Sequence, residues 1–140
     1  MTTTISKLIK ARLEIQPPKK EGMNPRFRSK YVTLEGCIEA VTAPLAKHGF
    51  FMTQEVIDTG EGRPSVCTKL YNEEDPLWSM VSNVPLDLSK QDMQGLGSAI
   101  TYARRYGIMS LLNLPAEDDD GNGAVSRGPA PSKPQGGRAW

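Results

Sequence analysis

Between Gln91 and Asn122 the chain reads QDMQGLGSAITYARRYGIMSLLNLPAEDDDGN, and this stretch limits the fold more than any other. Stepping about 100° per residue puts Leu96, Ile100, Ala103 and Gly107 on one helical stripe. Ser98, Thr101, Tyr102 and Arg105 fall on the opposite face, with Arg104 on its flank. One side is built for burial; the other presents hydroxyls, an aromatic ring and a guanidinium. A merely solvated helix surface favours Lys, Glu and Gln, which have better helix propensity than Ser, Thr and Tyr. Gly95 and Gly97 each cost roughly 1 kcal/mol relative to alanine inside a helix, so they call for close approach of a backbone or of a phosphate at the helix start. Past Gly107, the residues Ile108, Met109, Leu111 and Leu112 point almost all round the axis. That segment is buried on several sides, or the helix bends at Gly107.

The 140 residues suffice for one domain with a modest core, and 38% apolar with 24% charged residues is ordinary for a globular chain. No apolar run approaches the roughly 18 residues that span a membrane. The segment MTTTISKLIKARLEIQPPKK lacks the apolar core and small-residue cleavage site of a signal peptide. Cys37 and Cys67 show no metal-ligand spacing, and His48 is the one histidine, which argues for free thiols in a reducing cytoplasm and against structural zinc. The net charge of +1 hides an asymmetry. Residues 1–30 carry eight Lys/Arg against two acids, residues 31–120 six against fourteen, and residues 121–140 three against none. A basic arm on an acidic body fits a local polyanion-binding surface or arm-to-body contact between subunits.

Along the chain, Thr2 to Thr4 can cap a helix carrying Ile5, Leu8, Ile9 and Leu13 at helical spacing, packed in the core or against a neighbouring subunit and ended by Pro17-Pro18. Lys19 to Tyr31 reads as an ordered, irregular basic segment. Its Lys19, Lys20, Arg26, Arg28 and Lys30 interleave with Phe27 and Tyr31, a composition suited to tracking phosphates and stacking on bases, or to a solvated loop whose two rings plug the core. Thr33 caps a helix with the stripe Leu34, Ile38, Val41 and Leu45. Pro44 should kink its last turn, His48 should meet the helix end, and Gly49 fits a left-handed cap. Three strands follow, over residues 50–58, 64–71 and 77–84, joined by short turns into an antiparallel meander. Trp78 suits a sheet-face core position, with base stacking as the alternative. The expected class is therefore α+β: a short antiparallel meander of three strands packed against helices. Residues 1–122 form the expected folded domain. Residues 123–140, rich in Gly, Pro, Ser and Ala, form an expected flexible tail in which Trp140 is a docking anchor or incidental.

The run Gly97-Ser98-Ala99-Ile100-Thr101-Tyr102-Ala103-Arg104-Arg105-Tyr106, followed by Glu117-Asp118-Asp119-Asp120-Gly121-Asn122, resembles the signature of the essential-recombination-function (ERF) family of phage single-strand annealing proteins. A second match lies upstream in Asn24-Pro25-Arg26-Phe27-Arg28-Ser29-Lys30-Tyr31, then Leu34, Pro44-Leu45 and His48-Gly49. Family members often place a glycine between the second and third strands. The turn Asn72-Glu73-Glu74-Asp75-Pro76 has none, which leaves that hairpin open.

The resemblance implies ATP-independent binding of single-stranded DNA and annealing of complementary strands in phage-type homologous recombination, inside the bacterial host cytoplasm. It also implies a homo-oligomeric ring or filament that holds the strand, and then the annealed duplex intermediate, in a basic groove. Arg26, Arg28, Lys30, Arg104 and Arg105 are the candidate phosphate contacts. Phe27, Tyr31 and Tyr102 are candidates for stacking or groove support, and Ser98 and Thr101 for hydroxyl contacts. A host single-strand-binding protein or a phage exonuclease is a candidate partner. The alternatives are a passive single-strand-binding module and a recombination adaptor working through the tail. The chain has no GxxxxGK[ST] phosphate loop, dinucleotide fingerprint, serine–histidine constellation or zinc motif, so no enzyme and no cofactor is expected. Asp118, Asp119 and Asp120 have the wrong spacing for an EF-hand and are poorly placed to hold two metals about 4 Å apart. A weak divalent-ion site, capture of a basic arm and a solvated turn stay open for them.

Overall fold

The structure, a computed structural model, describes residues 2–24, 29–58, 60, 62–89 and 92–115. Among these the order is α1 (Thr4–Glu14), β1 (Gly22–Asn24), β2 (Ser29–Tyr31), α2 (Leu34–Lys47), β3 (Phe50–Asp58), β4 (Pro64–Asn72), β5 (Asp75–Pro85) and α3 (Met93–Leu111). The fold is α+β. β3, β4 and β5 form an antiparallel meander with β4 central, and β1 and β2 form a separate antiparallel ribbon.

The caps are those written in the sequence. The Thr3 hydroxyl accepts the Ser6 N–H at the start of α1, and the Thr33 hydroxyl accepts that of Gly36 at the start of α2. α2 runs on through Pro44 to its cap at His48, and Gly49 follows at φ +85°, in the left-handed region. The Nε2 of His48 lies 3.1 Å from Glu14 Oε2, which joins the ends of α1 and α2. That hydrogen bond, with Lys47 nearby, holds the Glu14 carboxyl below the usual carboxylate range. A lowered carboxyl pKa adds stability above the unfolded value, which is lost as pH falls below about 4.5 and through the folded pKa.

The helices cover one face of the sheet, α3 against β4 and β5 and α2 against β3. The larger core joins Ala11, Val32, Val41, Leu45, Phe50, Leu70, Ile108 and Met109, with Trp78 packed edge-on to Phe50 at 5.6 Å between ring centroids. A smaller cluster sets Ala99 and Ala103 of α3 on Val66 and Leu86. α3 therefore spans both, and it continues unbroken through Gly107 because Ile108, Met109 and Leu112 are all buried. Gly107 itself sits against β4, where a methyl group would overlap the Thr68 hydroxyl.

Three expectations need correction. Lys19 to Tyr31 is not irregular throughout: Gly22 pairs with Tyr31 and Met23 with Lys30. Gly, Asn and Ser are poor strand formers, so the ribbon owes its place to tertiary contact; the Tyr31 ring lies where any Cβ on residue 22 would be. Ile5, Ile9 and Leu13 are exposed, and α1 instead buries Ala11, with Ile15 just beyond it and Leu8 partly covered. The turn before β5 is only Glu73-Glu74. It manages without glycine because the buried Asn72 accepts the Glu74 N–H through its Oδ1 at 3.0 Å. Arg26, Phe27, Arg28, the acidic run 117–120 and the tail 123–140 lie outside the described residues.

Gly107→Ala should lower the unfolding free energy by about 1–3 kcal/mol, the usual range for overpacking, read from urea midpoints. Burial raises the Cys37 thiol pKa to about 11 and leaves the side chain fully covered, whereas Cys67 is partly exposed. A thiol reagent at neutral pH should modify Cys67 in the native protein and reach Cys37 only on unfolding. Equal rates at both thiols would contradict this core.

Candidate nucleic-acid interface

α3 starts at Asp92, whose carboxylate accepts the Gly95 N–H at 2.7 Å. An acidic cap occupies the helix start, so a phosphate is not expected there and Gly95 is not explained by one. One turn on, Gly97 meets no other atom within 4 Å of an added Cβ. Ser98, Thr101 and Tyr102 follow it on the exposed face, as the helical spacing predicts.

Arg105 does not join them in water. It is 5% exposed, the most buried charged side chain among the described residues. Its Nη1 donates to the Val32 carbonyl at 3.0 Å. Its guanidinium carbon lies 5.0 Å from the ring centroid of Tyr31 and 5.1 Å from those of Tyr102 and Tyr106. Periodicity placed Arg105 on the face away from the sheet, which is right; that face is covered there by β2 and the strand's exit, which periodicity cannot show. The residue expected as an exposed phosphate contact is thus a buried cation with three rings against it.

Arg104 points elsewhere. Its Nε donates to Gln54 Oε1 at 2.9 Å, and Gln54 Nε2 donates back to the Arg104 carbonyl at 2.8 Å and to the Thr68 hydroxyl at 2.9 Å. With Ile38, Val41, Leu45 and Phe50 it lines a hollow of about 260 Å³ between α2 and β3. The two adjacent arginines therefore serve different surfaces and do not form one cationic patch.

What the structure does bring together is a ridge of tyrosine. Tyr102 and Tyr106, one helical turn apart, stack with centroids 6.1 Å apart and planes 15° from parallel. They are 56% and 37% exposed. A hollow of about 610 Å³ lies on one side, lined by Tyr31, Thr33, Gly97, Ser98, Thr101, Tyr102 and Arg105. On the other lies one of about 510 Å³, lined by Asp87, Ser89, Asp92, Ser98, Tyr102 and Tyr106. Lys30 is exposed on β2 and precedes Tyr31 in the strand, so its side chain leaves the ribbon on the face opposite the Tyr31 ring. The flank with the Tyr31 ribbon is hydroxyl-rich, with the buried Arg105 in its lining; the flank beside the strand exit of β5 is acidic. Sequence reasoning overlooked Tyr106, although its four-residue spacing from Tyr102 is visible, and it overlooked Gln54, which no local pattern marks.

Among the described residues no group of His, Cys, Asp and Glu is placed to hold a metal, and no helix is long and apolar enough to cross a membrane. No curated protein and no solved structure matches the chain. The family model of the ERF superfamily matches residues 5–135, which take in both sequence motifs, the ribbon and the whole of α3. The chain belongs to the ERF superfamily, a family tied to phage recombination by single-strand annealing.

Proposed function

We propose that this protein binds unpaired DNA and anneals complementary strands in phage-type homologous recombination without hydrolysing a nucleotide. The observation that carries the reading is the exposed Tyr102–Tyr106 stack beside a hydroxyl-lined hollow on a chain of this family. Aromatic faces accept any base, and alanine substitution of such a platform typically costs about 1–3 kcal/mol per base. Lys30 and the basic segment through Arg26 and Arg28 supply phosphate attraction, with Phe27 as a further stacking candidate. Ser98 and Thr101 supply hydroxyls within reach of the same flank.

Pairing is downhill by roughly 1.4 kcal/mol per stacked step, so the protein has only to unfold, concentrate and align the strands. Assembly into rings or filaments would multiply weak contacts along one strand. The exposed Ile5, Ile9 and Leu13, which form one stripe on α1, support such assembly, because contiguous apolar surface marks contact sites. Residues 1–122 would form the DNA-binding, oligomerising unit in the host cytoplasm, and the tail from 123 would be free to meet a single-strand-binding protein or exonuclease. No cofactor enters this mechanism; Asp118, Asp119 and Asp120 are candidates for weak divalent-ion binding that it does not need.

Mixing two complementary labelled oligonucleotides with the protein should speed pairing over the protein-free rate, with ATP absent. Binding without acceleration would make it a passive single-strand-binding module. Electron microscopy with a long oligonucleotide should show rings or filaments.

Gly97→Ala should raise stability by about 1 kcal/mol, because the position is open and alanine is the better helix former. It should also weaken oligonucleotide binding severalfold, measured by fluorescence anisotropy, because the added methyl stands on the flank the strand approaches. A stabilised variant with unchanged affinity would place the strand elsewhere.

A further inference from the structure

We infer that Arg105 is a positioning residue that never touches DNA: it holds Tyr31, Tyr102 and Tyr106 as one array, and bases stack on that array. The inference rests on the single-strand-binding reading above. It assigns Tyr106 to the site and takes Arg105 off the phosphate.

The geometry separates the two roles. A phosphate contact needs a guanidinium that can reach water, because the phosphate arrives hydrated and leaves its counterions behind. Arg105 is 5% exposed, and one of its donors is already given to the Val32 carbonyl. Three ring centroids lie within 5.1 Å of its guanidinium carbon. It lines the hollow beside the ridge, but its 5% exposure leaves little of the side chain for a phosphate to meet. A planar guanidinium attracts the faces of several rings at once, which a compact lysine ammonium cannot do with the same geometry.

The array is also built from two separate parts of the chain. Tyr102 and Tyr106 come from α3, one turn apart, so the helix itself sets their stacking. Tyr31 comes from β2 and is kept in place from behind by Gly22, the residue opposite it in the ribbon, where any side chain would overlap the ring. Arg105 is the contact common to both parts. It therefore fixes the ribbon, and with it the Tyr31 ring, at a set distance from the tyrosine ridge.

The test compares an oligo-dT with an abasic oligonucleotide of equal length across a salt series, for the wild type, Arg105→Lys and Arg105→Met. The wild type should prefer oligo-dT by roughly tenfold or more, the contribution of stacked bases. Both variants should lose most of that preference, lysine rescuing nothing, while the slope of log affinity against log salt stays at its wild-type value. The inference is overturned if Arg105→Met lowers that slope by about 0.7, one phosphate on a single strand, and Arg105→Lys restores it. Equal wild-type affinity for oligo-dT and abasic DNA would also overturn it, leaving the binding reading intact; failure to bind either probe would remove that reading as well. If the arginine variants do not fold by circular dichroism, Tyr106 decides. Tyr106→Ala should lose base preference at constant slope and Tyr106→Phe should keep it; an unaffected Tyr106→Ala would refute the array.

Discussion

A guanidinium withdrawn from water costs several kcal/mol unless its surroundings replace the lost hydration, and the arrangement around Arg105 depends on that replacement. The Val32 carbonyl takes one donor, and the faces of Tyr31, Tyr102 and Tyr106 offer their negative quadrupoles. Removing any one of these leaves the charge less well accommodated, so the groups hold each other. Val32 lies between β2 and the Thr33 cap of α2, and Tyr31 ends β2. One side chain of α3 thereby fixes the ribbon, the start of α2 and the exposed tyrosine ridge together. The neighbouring Cys37, fully buried on the first turns of α2, feels the same cation, which lowers its thiol pKa while desolvation, the larger effect, raises it.

α3 can reach that position only because its opposite face lies very close to the sheet. Gly107 meets Thr68 where a methyl group would collide, and Gln54 bonds to the Thr68 hydroxyl and, across the same contact, to both the side chain and the carbonyl of Arg104. Ala99 and Ala103 continue the close approach over Val66 and Leu86. Small residues on the buried stripe and large rings on the other side are thus two aspects of one placement: the helix is drawn down onto the sheet, and its outer face stands clear for Tyr102 and Tyr106.

Much of this was legible in the sequence where the signal is local. The threonine caps, the glycine after α2, the three strands and the Leu96–Ile100–Ala103–Gly107 stripe follow from hydrogen-bonding needs and periodicity that act over a few residues. What escaped was set by distant parts of the chain. The wheel separates sheet side from outer side but cannot tell outer from exposed, so Arg105 looked accessible until β2 covered it. The same wheel put Arg104 on the flank without showing that Gln54, fifty residues earlier, holds it there. The ribbon of β1 and β2 has no strand-forming composition, and only the Tyr31 contacts explain it. For α1, spacing identified the helix but chose the wrong face: Ile5, Ile9 and Leu13 form a stripe as regular as a core stripe, and they stand in solvent.

That exposed stripe and the charge distribution bear on the proposed mechanism in the same way. A strand held for pairing must leave the hydrogen-bonding edges of its bases open, which rules out gripping them with side-chain donors and acceptors. Stacking uses only the faces of the bases, so a tyrosine ridge suits a protein that must present every sequence equally. Such a platform offers few bases per subunit, and the body around it is acidic, with Asp87 and Asp92 flanking the ridge on the side away from the ribbon. In the proposed mechanism those carboxylates would repel phosphate, which favours a path for the backbone on the ribbon side of the ridge. A single subunit with so small and so one-sided a foothold would bind weakly. Repetition along the strand is the physical remedy, and an uncovered apolar helix face on each subunit is the kind of surface that repetition requires.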